Sequence, residues 1–371
     1  MLVVMTVLGV ALQRYGLYGP LERLVIDTFA ATEPRQPANH TFIFDIDDES
    51  YAKSFDRTSP LNQEKLLELI LAAIKARARV VTVDVDTDVA ALRRKIGDTV
   101  TRVVWARAPE PCPGTVCVLL PKNPPPPTQP GDPTLADVEP PPLEGLALLP
   151  LDTDGIVRRY RPMFEIATED NTPAGCSCPG SGTLVPSLPR AAVLAARFEG
   201  TSYTKESLLL NWNGDRYTVP RIPAHRVLAG WEQKWWGEAQ PVAGRIVLIG
   251  GTFREARDVR STPAGPMTGV EIMAHMIEAE MNRGGLVEFG FWAALQLDAL
   301  VSIALVWINW RYPAETRTGF ALNALVVLAL PFAASWLLHR YALYWINMGP
   351  VLAGVWISQW HERAKVLAGR R

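Results

Sequence analysis

Three apolar runs of about 20 residues follow one another near the end of this chain, at 291–310, 319–338 and 341–360. At a rise of ~1.5 Å per residue, each is long enough to cross the ~30 Å hydrocarbon core of a bilayer. The second and third runs carry no charge, and the first carries only Asp298. Tryptophans cluster near the run ends (Trp292, Trp307, Trp310, Trp336, Trp345, Trp356, Trp360). An indole, apolar in body and polar at one edge, suits that depth. Three such runs are hard to bury in a water-soluble core, so the sequence predicts three spanning helices within 291–360.

Residues 1–21 are also apolar apart from Arg14, and predict a first spanning helix with Arg14 snorkelling to the interface. Lysine and arginine then set the orientation. Arg311 and Arg317 flank the loop between the first two C-terminal runs, and Arg363, Lys365, Arg370 and Arg371 form a basic tail at 361–371. Both are expected in the cytoplasm, which places residues 22–289 outside. The expected location is thus the inner membrane, multi-pass, with the large domain facing the periplasm. Cys112, Cys117, Cys176 and Cys178 lie in that part and, in an oxidising compartment, are expected to form disulfides. The charge balance of 37 basic against 38 acidic residues offers nothing to a nucleic acid.

Within 22–289, the β-branched runs at 41–47 and 78–86 end in carboxylates, and residues 60–76 repeat Leu and Ile at helical spacing. This reads as a β-α-β unit in a mainly parallel sheet. The segment Arg245-Ile-Val-Leu-Ile-Gly250 reads as another buried strand, followed by a helix over 269–282. The predicted fold is α/β: a three-layer sandwich around that sheet. Residues 109–142 hold 13 of the 31 prolines; such a stretch is expected to be an extended insertion without regular structure. Residues 171–182 form a second, cysteine-bearing loop.

Several blocks, in order, resemble the type-2 CHASE domain, an extracellular sensory module of bacterial membrane receptors. They are Phe42–Ser50 (FIFDIDDES), the strand ending at Asp86, Asp152–Arg159 (DTDGIVRR), Arg245–Thr252 (RIVLIGGT), Asp258, Thr262-Pro263 and Gly269-Val270-Glu271-Ile272. The family's three helices after the sensor also have counterparts here. A histidine often follows the Glu-Ile pair in that family; here the position is Met273, with His275 two places on. The resemblance implies a sensor; most members of that family continue into a cytoplasmic output domain, and the form expected here is a stand-alone one without it.

Asp47, Asp48, Asp84, Asp86 and Asp258 are the candidate ligand- or cation-binding residues. Ligands of open parallel sheets bind beyond the carboxyl ends of the strands, and these acids converge there if the first two strands are adjacent. The competing reading is a solvated cluster paired to Arg158 or Arg257. Asp45-Ile-Asp47 also fits the opening of a haloacid-dehalogenase phosphatase, but no supporting Lys or Asp-Asp motif follows. No pair of His or Cys has zinc spacing, and Ile249-Gly-Gly-Thr252 lacks the rest of a nucleotide-binding motif. No metal, cofactor or catalytic residue is therefore expected.

Asp298 lies about seven residues into its run, roughly 10 Å deep. A carboxylate at that depth should face protein or water rather than lipid, and Asn347 at similar depth is the expected partner. The function expected is that of a non-enzymatic membrane sensor. It would relay its state through the spanning helices to a separate protein partner, with homo- or hetero-oligomers open. The competing expectation is a structural subunit of a membrane complex.

Overall fold

The computed structural model describes residues 37–87, 89–97, 101–107, 110–111, 118–119, 144–167, 183–196, 208–210, 212, 218–231, 241–282 and 287–288. It also describes positions 23, 24, 26–28, 30, 296, 303–305, 307, 308, 310–312, 316–326, 333, 336, 337, 344 and 345. The chain divides into two compact units, one of Met1–Thr32 with Leu286–Arg371 and one of Glu33–Gly285.

The Glu33–Gly285 unit is built on six parallel strands. In chain order they are β1 (Thr41–Ile46), β2 (Val80–Asp84), β3 (Arg102–Arg107), β4 (Glu144–Leu146), β5 (Arg221–Pro223) and β6 (Ile246–Gly251), and in the sheet they run β5-β1-β6-β2-β3-β4. Every residue of β1 is buried, as expected of a parallel sheet covered on both faces. Alternation sorts the side chains. Phe42, Phe44, Val81, Val83, Val247 and Ile249 join one apolar cluster, while Ile43, Val80, Ile246 and Leu248 join the other.

Helices fill both outer layers. On the first face lie α1 (Asp48–Ser54), α2 (Gln63–Lys75) and α3 (Val89–Ile96). Asn62 caps α2 by accepting the Glu64 and Lys65 N–H groups at 3.0 and 3.3 Å. Leu66, Leu69, Ile70 and Ala73 then give it one buried stripe. On the opposite face lie α4 (Leu188–Ala195), capped by Ser187, and α5 (Gly269–Asn282). Gly250 lets α5 approach the sheet, because a Cβ there would sit 2.6 Å from the Val270 side chain.

Helix α5 is buried from Gly269 to Glu280 although it carries Glu271, Glu278 and Glu280. Each carboxylate has partners. Glu278, 1% exposed, accepts from the His40 and Thr41 N–H groups at 2.7 Å and from Thr41 Oγ1 at 2.8 Å. Glu271 accepts from Arg221 of β5 at 2.6 Å and from the Thr268 N–H at 2.7 Å. Glu280 meets Arg190 of α4 and the Tyr160 hydroxyl. The three acids tie α5 to the start of β1, to the edge strand β5 and to the neighbouring helix α4.

Two sequence expectations change. Strands β1 and β2 are parallel but not adjacent: β6, contributed from more than 160 residues later, lies between them. The Pro-rich insertion contains short pairings, with Glu110–Pro111 antiparallel to Val118–Leu119 and the latter parallel to Met163–Ala167. Described positions between 23 and 30 are helical, and Tyr344–Trp345 pairs in parallel with Val287–Glu288.

The expected span 1–21, most of 291–360, the tail 361–371, Asp298 and Asn347 lie outside the described residues, as do all four cysteines. Among the described residues, no helix is long and apolar enough to cross a membrane.

Replacing Glu278 by Ala should destabilise the protein by about 3 kcal/mol or more, because it strands buried donors of His40 and Thr41 without an acceptor. Thermal unfolding of the full chain in detergent measures this, and Glu278→Gln, which retains an acceptor oxygen, should lose less.

Candidate functional site

The carboxyl ends of β2 and β6 open into a cleft of about 440 Å³. Asp84 and Asp86 line it from the end of β2, and Phe253, Glu255 and Asp258 line it from the segment after β6. Tyr51 of α1 and Pro60-Leu61 close the apolar side. The Tyr51 and Phe253 rings stack at 4.0 Å and 12°. The Phe253 ring rests over Gly251, where a Cβ would come within 2.5 Å of it.

Asp258 is held over the start of α5. Its carbonyl accepts the Gly269 N–H at 2.9 Å, and a Cβ on Gly269 would fall 1.9 Å from Asp258 Oδ2. Only glycine fits there. Asp258 also has Arg260 at 3.6 Å, on the exposed side. Burial raises the Asp258 carboxyl above its ordinary value, while Arg260 and the Gly269 N–H pull it back. For Asp84 there is no such relief: burial, reinforced by the Asp258 charge, pushes its carboxyl up to about 7.

Three of the five predicted acids, Asp84, Asp86 and Asp258, line this one cleft. Asp47 and Asp48 do not. Asp47 is the N-cap of α1 and accepts the Ser50 N–H at 2.8 Å. Asp48 accepts the Arg254 N–H at 2.8 Å and faces the Arg254 side chain at 3.4 Å. The intervening β6 separates the two sets. Of the anticipated arginine partners, Arg158 is engaged elsewhere: it is buried and holds Asp152 and Asp154 at 3.1 and 2.8 Å, closing the Asp152-Thr-Asp-Gly turn. Among the described residues, no group of three or more His, Cys, Asp or Glu side chains is placed to hold a metal ion.

The residues that would serve a phosphatase are committed elsewhere. Asp45 is 6% exposed, accepts from Thr252 Oγ1 at 2.5 Å and lies 3.7 Å from Arg221. Burial raises its carboxyl despite these partners. A serine, a histidine and acids also meet beside α1: Ser50 Oγ is 3.0 Å from His225 Nδ1, and the two His225 nitrogens lie 3.8 Å from Asp47 and Glu49. Ser50 is fully buried and also accepts the His225 N–H at 3.0 Å. That arrangement pins α1 to the 224–226 turn and keeps the Ser50 hydroxyl out of reach of a substrate.

Sequence reasoning missed Tyr51, Phe253 and Glu255. The loop after the Ile249-Gly-Gly-Thr252 strand end was a readable hint for the last two; nothing local marks Tyr51.

In doubly wound parallel domains, the carboxyl edge of the sheet is where ligand clefts form, and this cleft lies there. The CHASE2 domain model matches residues 2–309, so this chain belongs to the CHASE2 domain family, a family of extracellular sensory domains. No curated protein and no solved structure matches the chain significantly.

Asp84 carries a proton in the folded state up to about pH 7, whereas the unfolded chain loses it near the ordinary 3.8. Stability from this group therefore falls as pH rises between those values. Asp84→Asn should raise the melting temperature at pH 8 and have little effect at pH 4. The gain should be on the order of 1–3 kcal/mol, below the ceiling of about 4 that such a displacement implies, because water reaches the cleft. Melting curves across that pH range check this; a pH-independent effect would contradict it.

Proposed function

We propose that this protein is a membrane-anchored extracytoplasmic sensor. In this reading the cleft holds a ligand, and its occupancy biases α5. The spanning helices pass that bias to a separate cytoplasmic or membrane partner, and the chain has no catalytic activity of its own. The observation that carries this reading is the position of α5. Its first residue, Gly269, lies under the cleft acid Asp258, and four residues after its last, Asn282, the chain enters the other unit at Leu286. A 14-residue helix is about 21 Å long, so one rigid element connects the cleft to the joint. A ligand acts through it only by binding two arrangements with different affinity.

Membrane anchoring is supported by apolar side chains without protein cover. Ile303, Trp307 and Trp310 are 62%, 60% and 82% exposed, at the i, i+4, i+7 spacing of one helix face. Ile308, off that face, is buried. In water such a surface would be costly; against lipid chains it costs nothing.

With the four native cysteines replaced by serine, Thr316→Cys should be inaccessible to an impermeant thiol reagent on intact cells and labelled once the membrane is opened. Thr316 caps the helix Arg317–Ala324, on the side expected in the cytoplasm. Purification in mild detergent should recover a partner whose association changes when Asp84 is replaced by Asn. A partner held at fixed stoichiometry regardless of the cleft would instead mark the protein as a structural subunit.

A further inference from the structure

The sensor reading leaves the ligand open, and the chemistry of the cleft narrows it. The described lining residues include four carboxylates, Asp84, Asp86, Glu255 and Asp258, and not one Lys, Arg or His. Two nearby cations are engaged at the margin, Arg254 with Asp48 and Arg260 with Asp258, and the exposed Arg257 is not among the lining residues. Asp84, half-buried in the wall, has no donor or cation acting on it among the described residues, and the charge that does act on it is another acid, Asp258. A carboxylate so placed at the edge of a cleft leaves its oxygens free to accept from a donor that enters.

A metal ion does not fit that role. A hard cation needs several oxygens converging at ~2.0–2.6 Å, and no such group exists among the described residues. The space is also wrong for an ion. About 440 Å³ is more than ten times the ~30 Å³ that one water occupies in the liquid, and it lies at the small end of organic-ligand sites. One wall is apolar, formed by the stacked Tyr51–Phe253 pair with Pro60, Leu61 and Val85. The wanted occupant is positively charged, donates hydrogen bonds, reaches carboxylates set apart from one another and has an apolar body.

We infer that the cleft binds an organic ammonium ion, a small aliphatic amine, through Asp84 and Asp258, with its carbon chain against Tyr51, Phe253 and Leu61. This rests on the reading of the domain as a sensor and names the chemical class that it would sense. The charged form of Asp84 is the one that binds, so affinity falls as pH drops below about 7.

The test is thermal unfolding of the full-length protein in nanodiscs, followed by tryptophan fluorescence at constant ionic strength and pH 8. The probes are 1,4-diaminobutane, calcium chloride and sodium succinate. The diamine should raise the melting temperature saturably by a few degrees. An Asp84→Asn, Asp258→Asn double variant should weaken its apparent affinity about tenfold or more. Because Asp84→Asn relieves a buried charge, this variant should fold, and circular dichroism checks that. No saturable shift with the diamine, or an equal shift in the variant, overturns the assignment. A calcium or succinate response that the variant abolishes overturns the ammonium class and leaves the sensor reading standing. The sensor reading is overturned separately, if the diamine binds wild type and leaves the recovered partner unchanged.

Discussion

A carboxylate that cannot reach water must find donors, and Glu278 finds them in the first residues of β1. That strand begins the sheet and α5 ends the domain, separated by more than 200 residues of chain. The contact fixes where the closing helix lies along the opening strand. Glu271 does the same at the β5 edge through Arg221, and Glu280 through Arg190 on α4. Such ties are costly to break because each leaves a buried polar group alone. With three of them on separate partners, α5 cannot slide or roll by small amounts. It holds one position, or it changes position by exchanging partners.

The same helix sets the electrostatics of the cleft. Its first residue is a glycine because Asp258 occupies the space a Cβ would need, so the carboxylate sits at the helix N-terminus, where the aligned peptide dipoles favour negative charge. Asp84 stands across the cleft without that help. The two acids are unequal by construction: one is anchored to the helix and partly neutralised, the other is strained by burial and by its neighbour. In the proposed reading, a cation entering between them would relieve that repulsion and, through Asp258, act on the end of α5. Cleft and helix are therefore one mechanical unit in this account.

Much of this was readable in the sequence because parallel strands buried on both faces leave continuous apolar runs, as at 41–46, 80–84 and 246–251. The three-layer α/β architecture and the helix over 269–282 follow from such runs and their spacing. Strand order does not. The insertion of β6 between β1 and β2 depends on contacts from the far end of the chain, and it separates Asp47 and Asp48 from Asp84 and Asp86. The two former acids serve as a helix cap and as a partner of Arg254, local roles that their position directly after a strand could have suggested. The acids of α5 were invisible as clamps, since a helix with three glutamates reads as half-solvated until its neighbours are known. Tyr51 was missed for the same reason: its stacking partner, Phe253, is 202 residues away.

The central claim is that the state of the cleft is carried along α5 to the joint with the other unit. Hydrogen–deuterium exchange on the full-length protein in nanodiscs, comparing wild type with Asp84→Asn at pH 8, tests it most directly. The account predicts altered amide protection in α5 that extends to its last turn, around Met281 and Asn282, as well as in the cleft segments at 84–87 and 251–258. Protection changes confined to those cleft segments, with α5 unaltered, would contradict it.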